Sequence, residues 1–278
     1  REEPRNDRAA FNRGWYELRK GKLLDGHRLL VRGRNEDVFG NSNPGSPMPL
    51  WDGKSKGTVL LNLEGGLGDQ IHGAGMVRYI VNKGCDVVVA CYADVDGSPY
   101  ISKPLTPLNK KLRIGLRWQG NPKFEHEQHR LFPSSKLFDA VKDIEADFIS
   151  LQRDEGSQHK PEWVKEVPLQ HWGDTRHAIA TCDLVITSCT SVAHLSAAMG
   201  VNTWIIIPIL PYYLWAKPGN KSEWYDSVTL FRQTTYGNWD EPFKRVKENL
   251  GDTNGYKNRI LDSSCRRSSE RSLGHHAA

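Results

Sequence analysis

Apolar residues in this chain fall into two alternating patterns. Short unbroken runs at 58–63, 87–90, 112–118, 148–151, 184–186, 204–207 and 228–231 predict strands, most of them covered on both faces as in a parallel sheet. Between them, apolar residues recur at helical spacing over 134–144, 174–182, 193–199 and 240–250, so strand and helix alternate from 112 to 208. Such alternation predicts an α/β architecture with a Rossmann-like sheet.

The stretch 183–209 carries the most information. Leu184, Val185 and Ile186 are stopped abruptly by Ser188, Cys189, Thr190 and Ser191, after which Ala193, Leu195, Ala197, Ala198 and Met199 follow at helical spacing. Gly200 stands where a helix end favours a left-handed residue, and Trp204 to Ile207 resume a buried strand, completing a βαβ unit. The turn at the helix start offers backbone N–H groups, hydroxyls and the positive end of the helix dipole, which together suit a phosphate or other anion. His194, in the first turn, adds a titratable donor. Two readings of the turn are open: an anion site, or a simple cap by Ser188, Thr190 or Ser191 with His194 as a satisfied, half-buried histidine.

Residues 8–34 predict two short helices joined at Gly21. Gly14, Gly21 and Gly26 fall at the spacing of small positions in a tetratricopeptide repeat, with Trp15, Leu18, Leu24, Leu29 and Leu30 as packing residues; a generic helical hairpin fits the same pattern. One repeat cannot bury its own face, so the hairpin is expected to end an array or to form a collar on the next domain. Asn, Gly, Ser and Pro cluster from 40 to 49 as a linker.

Residues 64–84 carry a glycine-rich turn, with Gly65, Gly66 and Gly68, that runs into a helix ending at Gly84. Glycines there let backbone approach a ligand closely. Their spacing is not the dinucleotide fingerprint G-x-G-x-x-G, which argues against NAD. From 92 to 111 the chain is polar and punctuated by Pro99, Pro104 and Pro107, too little to complete a doubly wound domain of four or more strands. The first half therefore reads as shortened. The tail from 251 has no apolar period and reads as disordered or in part an appended segment.

Composition narrows the class. A chain of 278 residues with 38% hydrophobic residues and nine tryptophans has room for about two domains with real cores. It has no run of ~20 apolar residues, and the opening REEPRNDR does not read as a leader, so no signal peptide, no transmembrane segment and a cytoplasmic location are expected. The five cysteines, Cys85, Cys91, Cys182, Cys189 and Cys265, are odd in number and follow no zinc-ligand spacing, so a reducing compartment and no structural metal are expected. The net charge of +5 is spread along the chain, with extra weight at Arg266, Arg267 and Arg271. A concentrated basic face with groove-reading elements is missing, which argues against nucleic acid; a polyanionic small molecule needs only a few placed cations.

Several motifs, taken together, resemble a family. IGLRWQGNP at 114–122, HR at 129–130, SLQ at 150–152, DLVITSCTSVAHLSAAMG at 183–200, WIIIP at 204–208, SEWYDSVTLFRQ at 222–233 and the W-D at 239–240 occur in the order and spacing of the glycosyltransferase domain that accompanies tetratricopeptide repeats in bacterial and phage proteins. That group is similar to the lipopolysaccharide heptosyltransferases and, more distantly, to the O-linked N-acetylglucosamine transferases. The resemblance covers roughly 8–250; its N-terminal part rests mainly on EGGLGDQI at 64–71.

The resemblance implies a GT-B-like architecture: two Rossmann-like halves across a cleft, the N-terminal one shortened here, preceded by the helical hairpin. The expected divisions are 1–50 for the hairpin and linker, 51–110 for an incomplete acceptor half, 111–250 for the nucleotide-sugar half and 251–278 for the tail. It also implies that Ser188, Thr190, Ser191 and His194 hold the donor diphosphate, that Arg117, Gln119 and Asn121 line the cleft, and that Gln152 sits near the base or ribose. Arg130 would neutralise the departing diphosphate without a metal. Asp69 matches the acidic residue placed near the acceptor hydroxyl, where a general base is needed; as a plain helix cap before Gln70 it would need no such role. His72 is a weaker candidate for either part. Trp118, Trp204 and Trp224 read as core or cleft wall, whereas Tyr212, Tyr213 and Trp215 lie on a loop that can stack on a base or sugar.

Three functions compete. The leading expectation is an inverting, metal-independent glycosyltransferase that uses a nucleoside diphosphate sugar as substrate, requires no cofactor, and acts on a glycan, lipid-linked sugar or protein acceptor. A second is an inactive nucleotide-binding module whose N-terminal helices engage a protein partner, a reading the short first half favours. A third, a nucleotide-sugar epimerase, needs paired carboxylates, for which Asp69 and Glu64 are the candidates.

Overall fold

A computed structural model describes residues 6–36, 49–91, 111–123, 127–153 and 155–251. The tail, the stretch 92–110 and most of the 40–49 linker lie outside the described residues.

The second half is built on a five-stranded parallel sheet, β3 (Leu112–Arg117), β4 (Ala146–Ser150), β5 (Leu184–Ser188), β6 (Asn202–Ile207) and β7 (Val228–Arg232), in the order β4-β3-β5-β6-β7. Parallel strands need crossovers, and here these carry α6 (Ser134–Val141), α7 (Trp172–Ala180) and α8 (Ser191–Ala198), with α9 (Asp240–Gly251) closing the unit. Alternate strand residues face opposite ways. Ile114, Leu116, Ile186, Trp204 and Ile206 pack with Leu137 and Val141 of α6 and Phe243 and Val246 of α9. Ile149 and Val185 pack instead with Ile179 of α7 and Val192 and Leu195 of α8. Both faces are therefore covered, which is why these strands read as unbroken apolar runs. The fold is Rossmann-like α/β.

The strand order reverses between β3 and β5. In doubly wound sheets that reversal opens a crevice beyond the strand C-termini, the usual place for a ligand. Here those ends are Arg117 and Ser188.

In the first half, β1 (Thr58–Asn62) and β2 (Asp86–Ala90) pair in parallel around a small core of Val59, Ile80 and Cys85. The helix expected to run unbroken to Gly84 is divided at Gly75 into α3 (Leu67–Ala74) and α4 (Met76–Asn82). Ile71 of α3 belongs to the same buried cluster as Val192 and Leu195, so α3 is packed on α8 of the other half.

The hairpin forms as expected: α1 (Asp7–Arg19) and α2 (Leu23–Leu30) join at Gly21, whose φ of 78° needs glycine. The helices touch at their glycines; a Cβ on Gly26 would sit 2.5 Å from Leu18 Cγ. Leu18 and Leu30 are buried as predicted, but Leu24 is 64% exposed because it faces away from α1. The hairpin's apolar face is covered by Tyr213 and Ala216 of the second half, so its support comes from far along the chain rather than from the next segment.

Candidate functional site

The β5–α8 turn lies at the C-terminal edge of the sheet, beside the strand-order reversal. Ser188 ends β5, Thr190 takes the N-cap position of α8 in an extended conformation, and Ser191 opens the helix. Thr190 makes no side-chain cap bond to the helix; its hydroxyl lies 3.5 Å from that of Thr187. Ser188 is 1% exposed, and its Oγ has no hydrogen-bond partner among the described residues. A buried hydroxyl left in that state costs about 1–3 kcal/mol, so its presence calls for an explanation.

Arg130, in the short helix α5 (Glu127–Arg130), donates through Nη1 to the carbonyl of Cys189. This brings a guanidinium to the turn from a segment 59 residues earlier. Burial pushes the Cys189 thiol up, and the neutral sulfur accepts the Trp215 indole N–H at 3.1 Å.

Four predicted residues have structural partners of their own. Arg117 is buried at the end of β3 and donates to the Leu151 carbonyl at 2.9 Å. Gln152 is buried and braces the loop after β3: its Oε1 accepts from the N–H groups of Trp118 and Gln119, and its Nε2 donates to the Gln119 carbonyl. Asn121 is exposed and accepts from Lys123 N. Gln119 completes a tight knot with Gly156, where a Cβ would meet Gln119 Oε1 and Gln152 Nε2 at 2.9 Å each. Gly156 carried no signal in the sequence, because its role depends on a close approach between distant segments.

His194, in the first turn of α8, is engaged by other side chains. Its ring stacks on Trp215 with centroids 5.0 Å apart, and its Nδ1 lies 3.2 Å from Tyr225 Oη. The same Tyr225 oxygen is 3.4 Å from Nδ1 of His72 on α3. One hydroxyl thus serves two imidazoles, which it can do by donating to one and accepting from the other. Burial pushes His194 down to about 3 and His72 down to about 4, so both rings are neutral near pH 7.

Asp69 stands at the third position of α3, whose cap is Gly66, not at the cap before Gln70. Its Oδ2 accepts from Gly66 N at 3.1 Å, and its Oδ1 accepts from Tyr212 Oη at 2.9 Å. Burial raises its pKa above the usual carboxylate value, although both hydrogen bonds act against the rise. Tyr212 is held edge-on by Trp15 of α1, 5.9 Å between centroids, and lies 4.6 Å from Tyr213. Glu64 is paired with Arg34 at 2.6 Å.

The aromatic loop is therefore a seam. Tyr212, Tyr213, Trp215, Trp224 and Tyr225 pack among the hairpin, α3 and α8, mostly through edge-on ring contacts. Trp118 and Trp204 are core, as expected. Tyr212 and Tyr225 are the functional candidates sequence reasoning assigned least weight or missed, since only tertiary contact brings them to Asp69 and the histidines. The turn and Asp69 meet through the seam: Gly68 of α3 lies against Ser191 and His194.

Among the described residues no group of three or more His, Cys, Asp or Glu side chains is placed to share a metal ion, and no helix is long and apolar enough to cross a membrane. The sequence contains one D-x-D triplet, Asp94-Val95-Asp96, a carboxylate pair of the kind that can hold a divalent ion, and it lies outside the described residues. No protein-family model matches this chain, and no curated protein or solved structure is significantly similar to it.

Proposed function

We propose that this chain binds a nucleoside diphosphate sugar at the β5–α8 turn and transfers the sugar, with inversion and without a metal ion, to a hydroxyl of a glycan, lipid-linked sugar or protein. The arrangement would be a reduced GT-B fold, with the donor held by the five-stranded half. Ser188 carries the reading. Its buried, unpartnered hydroxyl stands where β5 passes into the N-terminus of α8, and a phosphate oxygen there would accept from it while sitting in the favourable end of the helix dipole. The position at the strand-order reversal supports the same ligand class.

Arg130, held at the turn by Cys189, supplies positive charge where the departing diphosphate gathers negative charge. Asp69 takes the proton of the acceptor hydroxyl as that oxygen attacks the anomeric carbon. The bond from that carbon to the diphosphate oxygen breaks, its electron pair leaving with the diphosphate. Burial makes Asp69 a stronger base than an exposed carboxylate, which suits the task.

A thermal-shift series with UDP, GDP, ADP and CMP, with and without magnesium, tests the donor site. A rise in Tm with one diphosphate that does not need magnesium is expected; no rise with any of them in folded protein would remove the site. The second reading, nucleotide binding without turnover, is favoured by the engagement of both Asp69 oxygens. Turnover of the matching sugar nucleotide that is lost in Asp69→Asn separates transfer from binding alone.

A further inference from the structure

The sequence leaves the hairpin as the end of an array or a collar on the next domain, and in the structure its tryptophan touches the residue that holds the candidate base. Tyr212 Oη donates to Asp69 Oδ1 across 143 residues of chain, at 2.9 Å. With Gly66 N on Oδ2, this fixes both carboxylate oxygens and so the plane in which their remaining lone pairs point. Tyr212 is itself confined. Trp15 of α1 meets its ring edge-on at 5.9 Å, and Tyr213, 4.6 Å away between centroids, is in turn met edge-on by Trp15 at 6.3 Å and by His27 of α2 at 6.1 Å. Arg34, after α2, grips Glu64 at the start of the glycine-rich turn that leads to Asp69. Apart from the local Gly66 bond, these grips on the Asp69 turn run from the residues of α1, α2 and the segment after them, or through a side chain they hold.

We propose that Tyr212 is the positioning residue of Asp69, and that Trp15 keeps Tyr212 in that role, making the hairpin a working part of the Asp69 centre. The proposal rests on Asp69 as the base of the transfer reaction only for its effect on activity; the positioning relationship is independent of turnover. A donated hydrogen bond stabilises the carboxylate over the carboxylic acid, so losing it must raise the pH at which Asp69 protonates. Loosening Tyr212 by removing Trp15 must act in the same direction and through the same bond.

The test is the carboxyl titration of Asp69, followed by carbon-detected NMR with the signal assigned by its loss in Asp69→Asn. Tyr212→Phe keeps the ring and its packing and removes only the hydroxyl; the Asp69 midpoint is expected to move to higher pH. Trp15→Ala is expected to move it the same way by a smaller amount, Trp15→Phe to restore most of the original midpoint, and Trp15→Ala combined with Tyr212→Phe to go no further than Tyr212→Phe alone, because both act through one bond. In an active enzyme the acid limb of the pH–kcat profile moves with the midpoint. A folded Tyr212→Phe whose Asp69 midpoint is unchanged overturns the proposal. So does a Trp15→Ala that lowers Tm but leaves the midpoint in place, since that is the behaviour of a residue that only packs. A shifted midpoint in a protein without transferase activity keeps the positioning role and removes the catalytic reading, so the two failures are distinguishable.

Discussion

Gly68 of α3 lies so close to His194 of α8 that a Cβ on the glycine would come within 2.9 Å of the imidazole Cδ2. The ring cannot step aside easily, because Trp215 stacks on one face and Tyr225 holds its Nδ1. This contact ties the glycine-rich turn of the first half to the helix of the β5–α8 unit, and it gives Gly68 a steric reason distinct from the ligand approach its motif suggested.

Gly68→Ala is therefore expected to destabilise the fold by about 1–3 kcal/mol, the usual cost of forcing a methyl group into a packed contact. Gly66→Ala is the control: a Cβ there meets only Asp69 Oδ2, at an ordinary 3.6 Å. Urea unfolding of both variants decides the matter, and equal losses at the two positions would refute the close-contact account.

Acid should loosen the seam. His194 and His72 have folded-state pKa values below that of a free histidine, so between about pH 6.5 and 4 the unfolded chain binds more protons than the folded one. Stability is fully present above that window and falls as pH drops through it, by up to about 1.4 kcal/mol per pH unit for the buried His194 and by less for the partly exposed His72. Asp69 has the opposite sign, since its raised pKa means that the folded state gains the proton first. The histidine slope is thus clearest above the carboxylate range. Urea midpoints at pH 7.5, 6.5 and 5.5 should decline, with a shallower decline in His194→Gln; a flat profile would mean that the rings charge without opening the seam.

Arg130→Ala is expected to weaken nucleoside diphosphate binding by about 1.5–3 kcal/mol, the range for a hydrogen bond to a charged group. Calorimetric titration with the diphosphate that raises Tm measures it directly. Ser188→Ala separates two uses of the turn: weaker binding is expected if Ser188 donates to phosphate, whereas a gain in stability with unchanged affinity would show a buried hydroxyl with no ligand to serve.

Gln152→Leu leaves the buried Trp118 N–H without its acceptor and should cost about 1–3 kcal/mol. Because the Gln152 amide is turned toward the loop backbone, the preference among UDP, GDP and ADP is expected to stay the same in this variant. A changed base preference would return Gln152 to the nucleotide-contacting role implied by its place after β4.

The strands of the second half were legible to within one or two residues, because a doubly covered parallel strand writes itself as an unbroken apolar run. Gly21 and Gly200 were legible as turn and helix end, and both adopt positive φ. The break at Gly75 was not, since apolar spacing continues across it and Gly75 itself keeps a right-handed helical conformation, its N–H bonding the His72 carbonyl three residues back. The β5–α8 turn could be read as a candidate site from its residue types, whereas the structural engagements of Gln152 and Arg117 could not: each reaches a partner 33–34 residues away that leaves no local period.

The sequence by itself determined the α/β alternation, the hairpin, and the placing of Ser188, Thr190 and Ser191 at a helix start, because these follow from residue spacing and backbone preference within a few positions. Only the tertiary structure decided which of those residues keep an unmet hydrogen bond, that the hairpin rests on Tyr213 and Ala216, and that Tyr212 and Tyr225 reach Asp69 and the two histidines. Burial and hydrogen-bond saturation belong to contacts between distant segments, and those contacts exist only once the chain has closed on itself.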